Sequence, residues 1–96
     1  MNQRRLSMDR QVTFKGTEPT DDLESRIEGV QSKLEEAAPG ARFAKYVVEA
    51  APRGYAVGLV VTLADGRSWV RQAEGSDWDR AFLEIERRID RLAEGD

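Results

Sequence analysis

Apolar residues recur along the 96-residue chain with two different periods, and the changes of period divide it into six elements. Val12 and Phe14 alternate with Thr13 and Lys15, so Gln11 to Lys15 reads as a short half-buried strand that stops at Gly16. Beyond Glu18-Pro19, the residues Leu23, Ile27, Val30, Leu34 and Ala37 follow one another at the spacing of a single buried helix face. That spacing predicts a helix from about Asp21 to Ala38. Thr20 is its expected N-cap, Asp21 and Asp22 place negative charge in its first turn, and Pro39-Gly40 ends it. Gly29 inside the helix costs about 1 kcal/mol relative to alanine, which predicts a close backbone approach at that point.

Arg42 to Ala50 is predicted as the second strand, followed by Ala51-Pro52-Arg53-Gly54 in a type I turn. Tyr55 to Ala64 alternates most clearly, with Val57, Leu59, Val61 and Leu63 on one face and Gly58, Val60 and Thr62 on the other. Asp65-Gly66 suits a two-residue hairpin turn, and Arg67 to Ala73 forms a fourth strand with Trp69 and Val70 on opposite faces. Ser76, with Asp79 three residues on, is the expected cap of a last helix whose buried face is Trp78, Phe82, Ile85, Ile89 and Leu92. The order β-α-β-β-β-α predicts the α+β class: a two-layer sandwich of a mostly antiparallel four-stranded sheet with both helices on one face. Residues 11–94 form one domain, preceded by a flexible basic arm at 1–10 that carries Arg4, Arg5 and Arg10.

Composition narrows the chemistry. The chain has no histidine and no cysteine, which removes the commonest general base, the usual zinc ligands and the thiol nucleophile. Catalysis would rest on carboxylates, Lys, Tyr or Ser alone, and no nucleophile and base stand together, so the chain is read as no enzyme. Asp21 with Asp22 and Asp77 with Asp79 read as helix N-terminal charge and lack calcium-loop spacing, so no metal and no cofactor is expected. No apolar run is long enough for a membrane span, and Met1 to Arg10 lacks the apolar core of a secretory signal. A cytoplasmic protein without a membrane or a small-molecule substrate is expected.

Net charge is −3, but unevenly spread. Around the last helix, Asp79, Glu86 and Asp90 share one sector, while Arg80, Arg87 and Arg91, with Arg88 beside them, share another. Two readings of the basic sector stand. It is either a solvated surface crossed by weak ion pairs such as Glu84 with Arg87 or Arg88, or a stripe that contacts phosphates. On the first helix only Arg26 and Lys33 share a face, among Glu24, Glu28 and Glu35. Trp69 and Tyr46 could stack on bases only if exposed, and core packing is the commoner role for such residues.

The element order and several motifs resemble the short form of the ribosome hibernation-promoting factor and ribosome-associated inhibitor family. Ala73-Glu-Gly-Ser-Asp77 is similar to the family's Ala-Glu-Gly-x-Asp, and Ala81, Phe82, Ile85, Ile89 and Leu92 continue its helix pattern. Thr20 with Leu23, and Lys33-Leu34-Glu35, fit its first helix, and Asp65-Gly66 falls at its last hairpin. The resemblance spans about Val12 to Leu92 and implies a sandwich like that of double-stranded-RNA-binding domains. It implies a stress-response factor that binds rRNA in the small ribosomal subunit, occludes the tRNA and mRNA sites and regulates translation. The basic residues it matches are Lys33, Arg88 and Arg91. With Arg80 and Arg87 from the same stripe, these are the candidate RNA-binding residues. Glu24 and Val30 stand where members often carry a basic residue. The acidic first helix and the net charge of −3 motivate an alternative: a divergent protein–protein interaction module with the same fold and no RNA binding.

Overall fold

The computed structural model describes residues 8–95. The six elements occur in the expected order: β1 (Asp9–Lys15), α1 (Asp21–Ala37), β2 (Phe43–Ala51), β3 (Gly54–Thr62), β4 (Ser68–Gly75) and α2 (Trp78–Ala93). The strands lie side by side as β1-β2-β3-β4, with β1 parallel to β2 and the other pairs antiparallel. Parallel neighbours need a long crossover, and α1 supplies it. The fold is a two-layer α+β sandwich, as the periodicity predicts.

Register assigns every strand residue to a face. Across the inner face run Arg10–Ala44–Val61–Trp69, Val12–Tyr46–Leu59–Arg71 and Phe14–Val48–Val57–Ala73. Most of these are buried against Leu23, Ile27, Val30 and Leu34 of α1 and Phe82, Ile85 and Ile89 of α2. Fully burying a side chain of this kind stabilises the fold by roughly 1.5–3 kcal/mol. One polar link crosses the core: the Tyr46 hydroxyl donates to Gln31 Oε1 at 2.6 Å, and both side chains are buried. Burial also raises the Tyr46 pKa well above that of an ordinary phenol.

Four expectations change in detail. β1 begins at Asp9 rather than Gln11: Met8 is already buried in the core, and Arg10 on the inner face is held by Glu28 of α1. The rest of the expected basic arm, residues 1–7, lies outside the described residues. The last hairpin closes with three residues, not two. Leu63 C=O accepts from Gly66 N–H at 2.9 Å, Leu63 N–H donates to Arg67 C=O at 2.8 Å, and Gly66 adopts the left-handed φ of 91°. This is a turn followed by a glycine bulge, which keeps the strand twist that a tight two-residue turn of L-residues would strain. Gly29 meets no close backbone, since a Cβ there would find nothing within 4 Å.

The cap of α2 is the fourth. Asp77, not Ser76, is the N-cap, and its Oδ1 accepts from the Arg80 N–H at 2.8 Å. β4 runs to Gly75, where a Cβ would lie 2.6 Å from Ala81 N, so strand and first helical turn touch through the missing side chain. Ser76 then serves as the corner, and Asp79 is left to bond elsewhere. Thr20 caps α1 as expected, accepting from the Leu23 N–H at 3.1 Å.

Candidate nucleic-acid interface

The Ala73–Asp77 stretch aims α2. Ala73 is buried in the sheet, Gly75 allows the close turn, and Asp77 satisfies an otherwise unpartnered N–H of the first turn. With Ala81, Phe82, Ile85 and Ile89 pressed on the sheet, the other two sectors of the helix are oriented by elimination.

The acidic sector faces α1. Asp79 holds Arg26, which also donates from Nε to Asp22 Oδ2 at 2.9 Å and lies 6.0 Å over the Phe82 ring. Farther along, Asp90 Oδ1 lies 2.9 Å from Lys33 Nζ. Ion pairs near both ends therefore clasp the two helices along their seam. Lys33 has its pKa raised by the hydrogen bond to Asp90 and, beyond it, by the fields of Glu86 and Glu36. Arg26 has its pKa raised by Asp22 first and Asp79 second. Of the carboxylates at the helix N-termini, Asp77 thus serves as a cap and Asp22 and Asp79 as guanidinium partners, and among the described residues no three acidic side chains gather as a metal site would require.

The basic sector faces away from both α1 and the sheet. Arg80 approaches Asp77 at 4.0 Å and Arg87 approaches Glu84 at 3.3 Å, both within one helical turn and exposed. Arg88 is half-buried and Arg91 exposed, and neither has an ion-pair partner among the described residues. From Arg80 to Arg91 the stripe spans about 16 Å along the axis. Such a row can present planar guanidinium forks to successive phosphates, a geometry that suits arginine better than lysine.

The fold thus brings Arg80, Arg87, Arg88 and Arg91 together on one free surface and takes Lys33 into the helix seam. Base stacking by Tyr46 or Trp69 has no place in it. Both are buried, and the Trp69 indole N–H finds no acceptor among the described residues. The sequence places Arg26 on a face with Lys33 but not its partners: Asp22 lies four residues away, within helical reach, whereas the bond to Asp79 joins segments far apart in the chain. Arg71, which alternation with Trp69 could have placed on the helix-bearing face, lies 5.0 Å over the Trp69 ring. No described helix is long and apolar enough to cross a membrane.

Comparison with models of known protein families gives no match, and no curated protein sequence matches either. Solved structures do match. The N-terminal domain of Protein Y from Thermus thermophilus is 22% identical, with a TM-score of 0.67 and 94% of each chain covered. A ribosomal subunit interface protein from Coxiella burnetii is 20% identical, with a TM-score of 0.65, over 88% of this chain and 96% of that one. Across nearly its whole length, this chain has the fold of the Protein Y N-terminal domain and of a ribosomal subunit interface protein.

Proposed function

We propose that this protein is a non-enzymatic ribosome-binding factor of the cytoplasm. It docks on rRNA of the small subunit through α2 and, by occupying the tRNA and mRNA sites, restrains translation under stress. The observation that carries the reading is the outward stripe of α2, where Arg88 and Arg91 have no carboxylate partner among the described residues. The likeness to a ribosomal subunit interface protein supports it. In this reading Arg88 and Arg91 contact phosphates first, while Arg80 and Arg87 exchange weak exposed pairs for phosphate oxygens. Lys33 joins them only if Asp90 lets it go.

The test is co-sedimentation of the purified protein with small subunits and whole ribosomes over a salt series. Phosphate docking predicts affinity that falls steeply with salt, because each neutralised phosphate releases condensed counterions. Arg88→Glu with Arg91→Glu should release the protein while its thermal melt stays cooperative. Unchanged co-sedimentation of that variant would remove these residues from the interface.

The seam supports a second reading. Lys33 and Arg26 are already neutralised by α2 carboxylates, and the net charge is −3, as a protein-interaction module without RNA binding would have. Absence of ribosome binding even at low salt would favour it.

A further inference from the structure

The helices cover one face of the sheet and leave the other open. Across that open face the register aligns Gln11–Lys45–Val60–Val70, then Thr13–Val47–Gly58–Gln72, then Lys15–Glu49–Ala56–Glu74. A shallow depression of about 390 Å³ lies here, with Val47, Gly58, Val60 and Val70 in its lining. Val70 is 55% exposed, one of two large apolar side chains left so open among the described residues.

Gly58 is the informative residue. A glycine inside a strand weakens it, and its usual reasons are a bulge, a strained φ or a crowded neighbour. None applies here. Gly58 pairs in regular register, its φ is not positive, and a Cβ would meet only Val47 at 3.8 Å, an ordinary contact. Among the described residues there is therefore room for a side chain at the centre of the open face. The remaining reason for glycine in a strand is close approach of a ligand or another backbone from outside.

The charges identify that neighbour. Lys45 and Glu49 stand on the same central strand, on either side of Val47, and neither has an ion-pair partner among the described residues. Balanced, unpaired charges of both signs disfavour a polyanion and fit a surface that complements itself. We propose that the open sheet face is a homodimer interface, with a two-fold axis crossing the strands at the Val47–Gly58 row. That axis lays each Gly58 against its counterpart and Ala56 against Val60 of the second copy, so the small residues of β3 let the sheets approach. It also sets Lys45 of each copy opposite Glu49 of the other. The charges that dimerisation would bury at the centre are thereby paired, whereas Lys15 and Glu74 on the edge strands stay in water. A two-fold contact must be self-complementary in this sense.

Sedimentation equilibrium of the full chain tests the proposal. The average mass should rise with concentration from that of one chain toward that of two. Lys45→Glu and Glu49→Lys should each raise the dissociation constant about tenfold or more, since each puts like charges opposite one another twice over. The double variant Lys45→Glu/Glu49→Lys should restore dimerisation, which rules out misfolding as the cause of the single effects. Gly58→Phe should abolish dimerisation while thermal unfolding stays cooperative. A one-chain mass at every concentration up to about 1 mM, the weak end of specific association, would overturn the interface. So would a dimer indifferent to these changes, one dissociated instead by Leu83→Glu on α2, or a double variant no better than the singles.

Discussion

Lys33 Nζ on α1 lies 2.9 Å from Asp90 Oδ1 on α2, so one of the residues suited to contacting phosphate is already engaged by the protein's own carboxylate. Asp90 is a built-in competitor for whatever anion Lys33 would otherwise hold. Asp90→Asn removes the competitor and one negative charge beside the arginine stripe. The variant should bind small subunits more tightly than the natural chain, with a steeper salt dependence, because about one further phosphate contact becomes available. The pair is exposed, so the thermal midpoint should change little. Binding unaffected by Asp90→Asn would mean that Lys33 lies outside the interface.

The Tyr46–Gln31 bond predicts a non-additive cycle. Tyr46→Phe leaves the buried Gln31 amide without its donor and should cost about 1–3 kcal/mol in urea unfolding. Gln31→Leu strands the Tyr46 hydroxyl at similar cost. The double variant should lose clearly less than the sum, because both polar groups leave the core together. Simple additivity would show that the two side chains do not bond in solution.

Two glycines should respond oppositely to alanine. At Gly75 a Cβ would stand 2.6 Å from Ala81 N and 2.7 Å from Arg80 Cβ, and backbone cannot yield cheaply. Gly75→Ala should destabilise by about 1–3 kcal/mol and blunt ribosome binding by tilting α2. At Gly29, exposed in mid-helix with nothing within reach, alanine should stabilise by about 0.5–1 kcal/mol. Thermal melts of the two variants decide both.

Stability should decline at both ends of the pH scale. The Arg10 hydrogen bond holds the Glu28 carboxyl below its ordinary value, and the Arg67 backbone N–H and then its guanidinium do the same for Asp65. A lowered folded pKa gives stability that is present above the unfolded value and lost as pH falls through the folded one. For Tyr46 the sign reverses, because burial raises its pKa. The unfolded chain then ionises first, and stability falls as pH climbs past about 10. Arg10→Ala should return Glu28 to the ordinary range in a carboxyl NMR titration, and Tyr46→Phe should flatten the alkaline limb. An unshifted Glu28 in the natural chain would refute the first assignment.

The elements and their buried faces were legible in the sequence. Phe82, Ile85 and Ile89 recur with the helical period, and Val57, Leu59 and Val61 with the strand period. Burial follows such periods because apolar side chains must share a side before any partner is known. The arginine stripe of α2 was legible for the same reason: positions on one helix have a fixed angular relation.

Only the tertiary structure decided which charges are free. The acidic sector of α2 is visible on a helical wheel, but its contact with Arg26 and Lys33 depends on α1 and α2 lying side by side, and no local period encodes that. Asp77 displaced Ser76 as the cap because β4 continues to Gly75, and strand length is set by pairing with Tyr55 across the sheet. The open face around Gly58 likewise became meaningful only when both helices settled on the other side. Sequence periodicity determined what this chain buries within each element. Long-range packing decided which polar groups meet, since such contacts join residues that only the folded chain brings together.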